Sequence, residues 1–161
     1  MLLVLNASPY AIGKQEARYA VIRERIAETG MAVVYANMVG GQDELIFDGG
    51  SFAMDQHGEL TAQGMHFTED LLMLGLGDDL RPAGKHAAAF SEEAGVYRAL
   101  CLGVRDYIAK NRFPGVLLGL SGGIDSALTL AIAADALGAD KVHAVMMPSP
   151  YTAQISLDDS R

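Results

Sequence analysis

Five apolar residues at 116–120 run into Ser121-Gly122-Gly123-Ile124-Asp125-Ser126. An Ala- and Leu-rich stretch follows to residue 137, closed by Gly138, and then a second apolar run at 142–147. Short apolar runs rich in Val and Leu predict strands, and a 12-residue Ala/Leu segment predicts a helix. A glycine pair between them makes a tight turn, and Pro148 and Pro150 mark the next one. Strand, glycine turn, helix, strand is a βαβ unit of a parallel sheet. No other segment limits the choice of fold so strongly.

The same turn carries chemistry. It lies at the carboxyl end of its strand, where open α/β sheets bind ligands. Gly122 and Gly123 let the backbone approach an anion, and the first turn of the following helix offers unpaired N–H groups. Ser121 and Ser126 are hydroxyl donors for phosphate oxygens. Asp125 is the informative member: a carboxylate beside polyphosphate is repelled unless a divalent cation lies between them, so it predicts Mg²⁺. No Gly-Lys-Ser/Thr follows, which excludes a Walker loop, and Gly-x-Gly-x-x-Gly is absent. A plain helix-capping turn is the simplest alternative. Another is the nucleophile elbow of serine hydrolases, because Gly119-Leu120-Ser121-Gly122-Gly123 matches Gly-x-Ser-x-Gly. The elbow needs an acid and then a histidine downstream, and only His143 follows.

Upstream, residues 2–5 read as a short buried strand, stopped by Asn6-Ala7-Ser8-Pro9. From Lys14 to Glu28, Tyr19, Ile22 and Ile26 repeat at helical spacing, and Gly30 stops the helix. Residues 32–37 form a second strand, and residues 39–64 read as short antiparallel strands joined by glycine turns. Residues 69–90 show no dominant period and read as a linker. Ser91 is the expected N-cap of a helix with Glu92 and Glu93 in its first turn and Tyr97, Cys101, Val104 and Ile108 on one face. Asn111 to Gly115, with Pro114, ends it. The expected division is therefore 1–68, a linker at 69–90, and 91–161. The chain opens inside an apolar run, and residues 156–161 look like the start of a helix, so both ends are expected to be interior points of a longer protein.

Composition narrows the function. A net charge of −8 supplies no basic patch for nucleic acid or an anionic membrane. One cysteine excludes an internal disulfide framework and a multi-cysteine metal site. No apolar run approaches the roughly 20 residues needed to span a bilayer, and no signal-peptide pattern is present. A cytoplasmic enzyme is the expectation.

The Ser-Gly-Gly-x-Asp-Ser loop resembles that of ATP-pyrophosphatases. Val96-Tyr97-Arg98-Ala99-Leu100, Gly103-Val104-Arg105-Asp106-Tyr107, Lys110-Asn111 and Met147-Pro148-Ser149 with Tyr151-Thr152 and Ser156 are similar to NAD synthetase segments. Independently, Leu5-Asn6-Ala7-Ser8-Pro9-Tyr10, Lys14, Arg18, the run from Tyr35 to Leu45, and Phe47-Asp48-Gly49-Gly50-Ser51 resemble a nitrilase-type glutaminase. Together they resemble the glutamine-dependent NAD synthetases over nearly the whole chain.

That resemblance implies an α/β fold in two pieces. The C-terminal part of a nitrilase-like α/β sandwich (1–68) is followed by the N-terminal part of a Rossmann-like ATP-pyrophosphatase (adenine nucleotide alpha hydrolase-like) parallel sheet (91–161). It implies a ligase that adenylylates deamido-NAD and amidates it to NAD with ammonia from glutamine. ATP-binding positions are then Gly119, Leu120, Ser121, Gly122, Gly123, Ile124, Asp125, Ser126 and Met146, with Asp125 on Mg²⁺. Met146 reads equally well as strand core. Ser8 and Lys14 correspond to glutamine-binding positions; a turn cap and a solvated charge are their plainer readings. Substrates would be deamido-NAD, ATP, and L-glutamine or ammonia, with no nucleic acid or membrane partner, in a homo-oligomer. The glutaminase cysteine, glutamate and lysine belong upstream of Met1. Cys101 reads as a core cysteine, and the chain alone is expected to complete neither reaction. Another ATP-pyrophosphatase, such as a GMP synthetase or tRNA-thiolating enzyme, and a non-catalytic nucleotide-binding fragment stay open. His57, His66 and His86 read as solvated, and His143 as a core or near-site residue. Glu92-Glu93 and Asp78-Asp79 read as solvated charge, and residues 40–43 as a polar loop or pocket lining.

Overall fold

A computed structural model describes residues 1–148 and 150–159. Of the residues singled out above, Ser149, Ser160 and Arg161 lie outside that range. The chain is mixed α/β and divides into two compact units, Met1–Ala99 and Leu100–Arg161.

In the first unit, β1 (Leu2–Asn6) leads through α1 (Lys14–Thr29) to β2 (Val33–Asn37). β1 and β2 pair in parallel from Leu2↔Val33 to Asn6↔Asn37, and α1 supplies the crossover that parallel strands require. The helical repeat in the sequence has its cause here: Tyr19, Ile22 and Ile26 are the apolar residues that α1 buries. Gly30 ends the helix at φ 67°, donating its N–H to Ile26 O. β3 (Val39–Gln42) and β4 (Leu45–Asp48) form a separate hairpin about Asp43 and Glu44, with Asp43 at φ 52°. Thus residues 40–43, read as a polar loop, are mostly strand, with Gly40 and Gly41 buried. β5 (Phe52–Met54) and β6 (Leu60–Gln63) complete a four-stranded sheet of order β1-β2-β5-β6.

Phe52 centres the core. It is fully buried, stacked on Tyr35 at 4.9 Å and edge-on to Tyr19 at 4.8 Å. Truncating such a residue costs about 3–5 kcal/mol. β1 stands at the sheet edge, and the expectation of a buried strand fails there: Leu3 is 66% and Leu5 88% exposed. Apolar patterning reports which faces need cover, not whether the chain in hand provides it.

Residues 69–90, aperiodic in sequence, contain β7 (Leu74–Leu76) paired antiparallel with β8 (Pro82–Gly84). Local hydrogen bonds shape the hairpin: Gly77 N–H to Arg81 O, Leu80 N–H to Gly77 O, and Arg81 N–H to the Asp79 carboxylate. Arg81 then reaches the buried Asp55 at 3.0 Å.

α2 (Glu92–Lys110) runs across the division between the units. Ser91 caps it, its Oγ accepting the Ala94 N–H at 3.3 Å. The expected face of Tyr97, Cys101, Val104 and Ile108 is only half-buried, and the fully covered apolar positions are Ala99 and Leu102. Its C-terminus is a Schellman motif. Phe113 N–H bonds Ile108 O, Arg112 N–H bonds Ala109 O, and Arg112 takes the left-handed conformation usually given to glycine, at φ 58°.

The second unit holds the βαβ segment the sequence predicts. β9 (Val116–Gly119), α3 (Ile124–Leu137), a 3-10 turn at Ala139–Lys141 and β10 (Val142–Val145) follow in order, and the two strands pair in parallel. Gly115 is required by that pairing, since a Cβ there would lie 2.3 Å from Lys141 O. A short helix, α4 (Gln154–Asp159), comes last. As with β1, burial of the strand at 116–120 fails on one face, where Leu117 is 73% exposed. Among the described residues no helix is long and apolar enough to cross a membrane.

Candidate functional site

Two groups of the expected residues are brought together, one in each unit. In the second unit, Leu120 N–H bonds Val145 O at 2.9 Å, so the ladder of β9 and β10 lasts until the residue before the loop. Ser121 then turns the chain. Gly122 takes φ 77°, and Gly123 caps α3 in extended conformation with no side-chain cap. Gly122 is doubly constrained: a Cβ there would also lie 2.4 Å from the carbonyl oxygen of Ser156. Gly123 is open, the nearest atom to a Cβ being Ser121 Oγ at 3.5 Å.

The two hydroxyls meet. Ser121 Oγ lies 3.1 Å from Ser126 Oγ. Ser126 Oγ donates to Gly123 O and accepts Ser121 N–H, while Ser121 Oγ accepts Gly123 N–H at 3.4 Å. The expectation that both serines stand free to donate needs this refinement: they first hold the loop's own backbone in shape. The amides of Ile124, Asp125 and Ser126 begin a helix, where first-turn N–H groups have no intrahelical acceptor. They give the loop a local positive end in an acidic chain.

The Asp125 side chain is exposed and makes no hydrogen bond or ion pair among the described residues. Among those residues no three His, Cys, Asp or Glu side chains converge on a metal position. A lone carboxylate fits an ion that keeps several waters and takes its other ligands from phosphate, which is the habit of Mg²⁺. Met146 lies one residue beyond β10 and is half-buried. The hydrolase elbow gains nothing here. Ser121 does not take a positive φ, and no hydrogen bond among the described residues links it to an imidazole. His143 is exposed on β10, not in a core. Cys101 is half-buried, its Sγ 3.8 Å from Ile132 O, and burial pushes its thiol above the ordinary range.

In the first unit, Ser8 and Lys14 line one cavity of about 410 Å³ beside β1 and α1, together with Asn6, Arg18 and Tyr35. Ser8 is held on all sides. Its N–H bonds Asn37 Oδ1 at 2.8 Å, and its carbonyl accepts from Arg18 at 2.8 Å and from Asn37 at 3.3 Å. Behind it lies a buried charge network. Arg18 forks onto Asp48 at 2.7 and 3.0 Å, and His66 Nδ1 sits 3.2 Å from the same carboxylate. Burial alone would raise the Asp48 pKa, but hydrogen bonds from His66 and Arg18 hold it below the ordinary carboxylate range.

His66 was expected in solvent and is instead 11% exposed, packed against Phe67 and Phe90. Its ring fills the space beside Gly50, where a Cβ would lie 2.3 Å from His66 Cε1. The partnership of Arg18, Asp48 and His66 is the part sequence reasoning missed. Its one signal was a charged residue on the apolar face of α1, next to Tyr19 and one turn before Ile22.

The family model for NAD synthase matches residues 96–161. A glutamine-dependent NAD(+) synthetase of Acinetobacter baylyi is 50% identical over 161 residues, covering 99% of this chain and 30% of its own length. One from Rhodobacter capsulatus is 49% identical over 165 residues, with 99% and 30% covered. Along nearly all of its length this chain is similar to glutamine-dependent NAD(+) synthetases. It spans about 30% of the length of the curated relatives it matches. Among solved structures it is similar to the glutamine-dependent NAD+ synthetase of Acinetobacter baumannii in complex with adenosine diphosphate. That match has a TM-score of 0.90 and 50% identity, over 98% of this chain and 30% of the other. The enzyme of Cytophaga hutchinsonii matches at a TM-score of 0.63 and 29% identity, over 86% and 24%.

Proposed function

We propose that this chain carries the nucleotide loop of an ATP-dependent NAD-forming ligase together with part of its glutamine site. In this reading the first unit, with the strands of residues 1–68, is the C-terminal part of a nitrilase-like sandwich. Residues 91–161, which take in the second unit, are the opening of an ATP-pyrophosphatase sheet. The geometry of Ser121 to Ser126 carries the proposal. Amides and hydroxyls are gathered at the carboxyl end of a parallel strand, on the first turn of α3, beside one unpaired carboxylate. The Acinetobacter baumannii relative, solved with adenosine diphosphate, supports a nucleotide here.

The loop's amides would hold the triphosphate while Asp125 seats Mg²⁺. The ion would screen the polyphosphate as the carboxylate of deamido-NAD attacks the α-phosphorus and pyrophosphate leaves. Preorganised donors aimed at charge that develops in the transition state are the main catalytic contribution expected of such a loop. Ammonia then displaces AMP to give the amide. Ser8 and Lys14 would take the α-carboxylate of L-glutamine, a hydroxyl and a cation being suited to an anion. The whole protein would be a cytoplasmic homo-oligomer using deamido-NAD, ATP, and glutamine or ammonia.

Calorimetric titration of the chain with ATP, with and without MgCl₂, tests this. The expected result is Mg²⁺-dependent binding that Asp125→Ala weakens by about tenfold or more, the loss of one charge-assisted contact. Binding indifferent to both Mg²⁺ and Asp125 would overturn the assignment. Assay of NAD formation from deamido-NAD, ATP and ammonium then separates a working ligase from a chain that only binds nucleotide.

A further inference from the structure

The five N–H donors of the Arg18 guanidinium are all committed. Nη1 gives one to Gln15 Oε1 at 2.8 Å and one to Asp48 Oδ2 at 3.0 Å. Nη2 gives one to Asp48 Oδ1 at 2.7 Å and shares the other between the carbonyls of Ser8 at 2.8 Å and Pro9 at 3.3 Å. Nε donates to Ser8 Oγ at 3.2 Å. Arg18 is 5% exposed, and Asp48 neutralises its charge. No donor of this arginine is left for a ligand, although it lines the cavity beside Ser8.

The consequence falls on Ser8. Its N–H is taken by Asn37 and its carbonyl by Arg18 and Asn37. Its Oγ accepts from Arg18 at one lone pair, which leaves Ser8 its hydroxyl hydrogen and a single further lone pair to offer. A hydroxyl that already accepts from a cation and still has its hydrogen to give, in the same cavity as the Lys14 ammonium, is better matched to an anionic oxygen than to an ammonium group.

We propose that Arg18, braced by Asp48, is a positioning residue that fixes the Ser8 hydroxyl as a donor into the cavity and so sets this position for a carboxylate. The inference deepens, and rests on, the reading of Ser8 and Lys14 as a glutamine site. Lysine cannot replace this arginine, because an ammonium lacks the planar fork that reaches two carbonyls, a hydroxyl and a carboxylate together.

The test compares the wild-type chain with Ser8→Ala, Arg18→Lys and the paired variant Arg18→Leu/Asp48→Leu, which removes both buried charges together and so leaves neither unpaired. Amide exchange within residues 8–12, carried by the hydrogen-bonded Ser8 and Tyr10 amides, is read against the strands Val33–Asn37 and Phe52–Met54, and L-glutamine is titrated by NMR. In the paired variant the two strands should keep their protection while residues 8–12 exchange about tenfold faster, a local opening. L-Glutamine affinity should fall about tenfold, the worth of a hydrogen bond to a charged group. Ser8→Ala should lower it similarly and add nothing to the paired variant, and Arg18→Lys should not restore it. Unchanged exchange at residues 8–12 would overturn the proposal. So would protection lost equally across both strands, or losses from Arg18 and Ser8 that simply add. If the wild-type chain shows no saturable L-glutamine binding, the glutamine reading fails with its carboxylate, and exchange at residues 8–12 still decides whether Arg18 positions Ser8.

Discussion

The chain sets the dipeptide Gly-Gly near an aspartate three times, and two of those places serve opposite ends. At Asp48-Gly49-Gly50 both glycines have positive φ, and at Gly50 the space a side chain would fill is taken by the His66 ring. The aspartate there is 2% exposed and bonded to Arg18 and His66. At Gly122-Gly123-Ile124-Asp125 only the first glycine has positive φ. The second has open space, and the aspartate is exposed without a partner among the described residues. Every polar group in the first turn is used internally, so removing one leaves another unsatisfied. In the second turn the first-turn amides and the carboxylate are uncommitted, which weakens the fold little and leaves chemistry for a ligand. What distinguishes a structural turn from a binding turn is where its donors and acceptors end, not its residue types.

The largest contrast should come from the two aspartates. Asp48→Ala strands a buried guanidinium and should cost about 3–5 kcal/mol in denaturant unfolding of the first unit. Asp125→Ala should change stability by less than about 0.5 kcal/mol. Equal costs would break the comparison. Next come the glycines. Gly50→Ala meets both a strained φ and the His66 ring and should cost about 2–4 kcal/mol. Gly123→Ala replaces an N-cap glycine with room to spare and should cost less than about 1 kcal/mol. The smallest effect is in acid. The Asp48 carboxyl is held below its ordinary range, so its contribution is fully present above the unfolded pKa, near 4, and is lost as pH falls through the lower folded value. Asp55 shifts the same way: burial alone would raise it, but the Glu59 and His57 amides and Arg81 lower it. Unfolding midpoints between about pH 5 and 2 should therefore fall more steeply in wild type than in an Asp48→Asn variant.

Legibility followed the range of the interactions. α1 was visible because Tyr19, Ile22 and Ile26 repeat at helical spacing, and those are the apolar residues it buries. The loop at Ser121 was visible because strand, glycines and helix are contiguous. The hairpin of β7 and β8 was not, since it depends on the Asx-type bond from Asp79 and on Arg81 finding Asp55, 26 residues away. His66 looked solvated because its partner Asp48 lies 18 residues upstream and on another element. Arg18 stood in the resemblance without a role; only geometry shows that its donors are all spent.

One feature bears on handling rather than chemistry. The outer edge of β1 presents its backbone beside Leu3 and Leu5, with no charge or proline among Leu2, Leu3, Val4 and Leu5 to discourage another strand. Such a rim is a template on which identical chains recruit one another. Solutions of this polypeptide should therefore cloud with concentration well before heat or denaturant unravels it, and a lysine in place of Leu5 is the simplest means of keeping them clear.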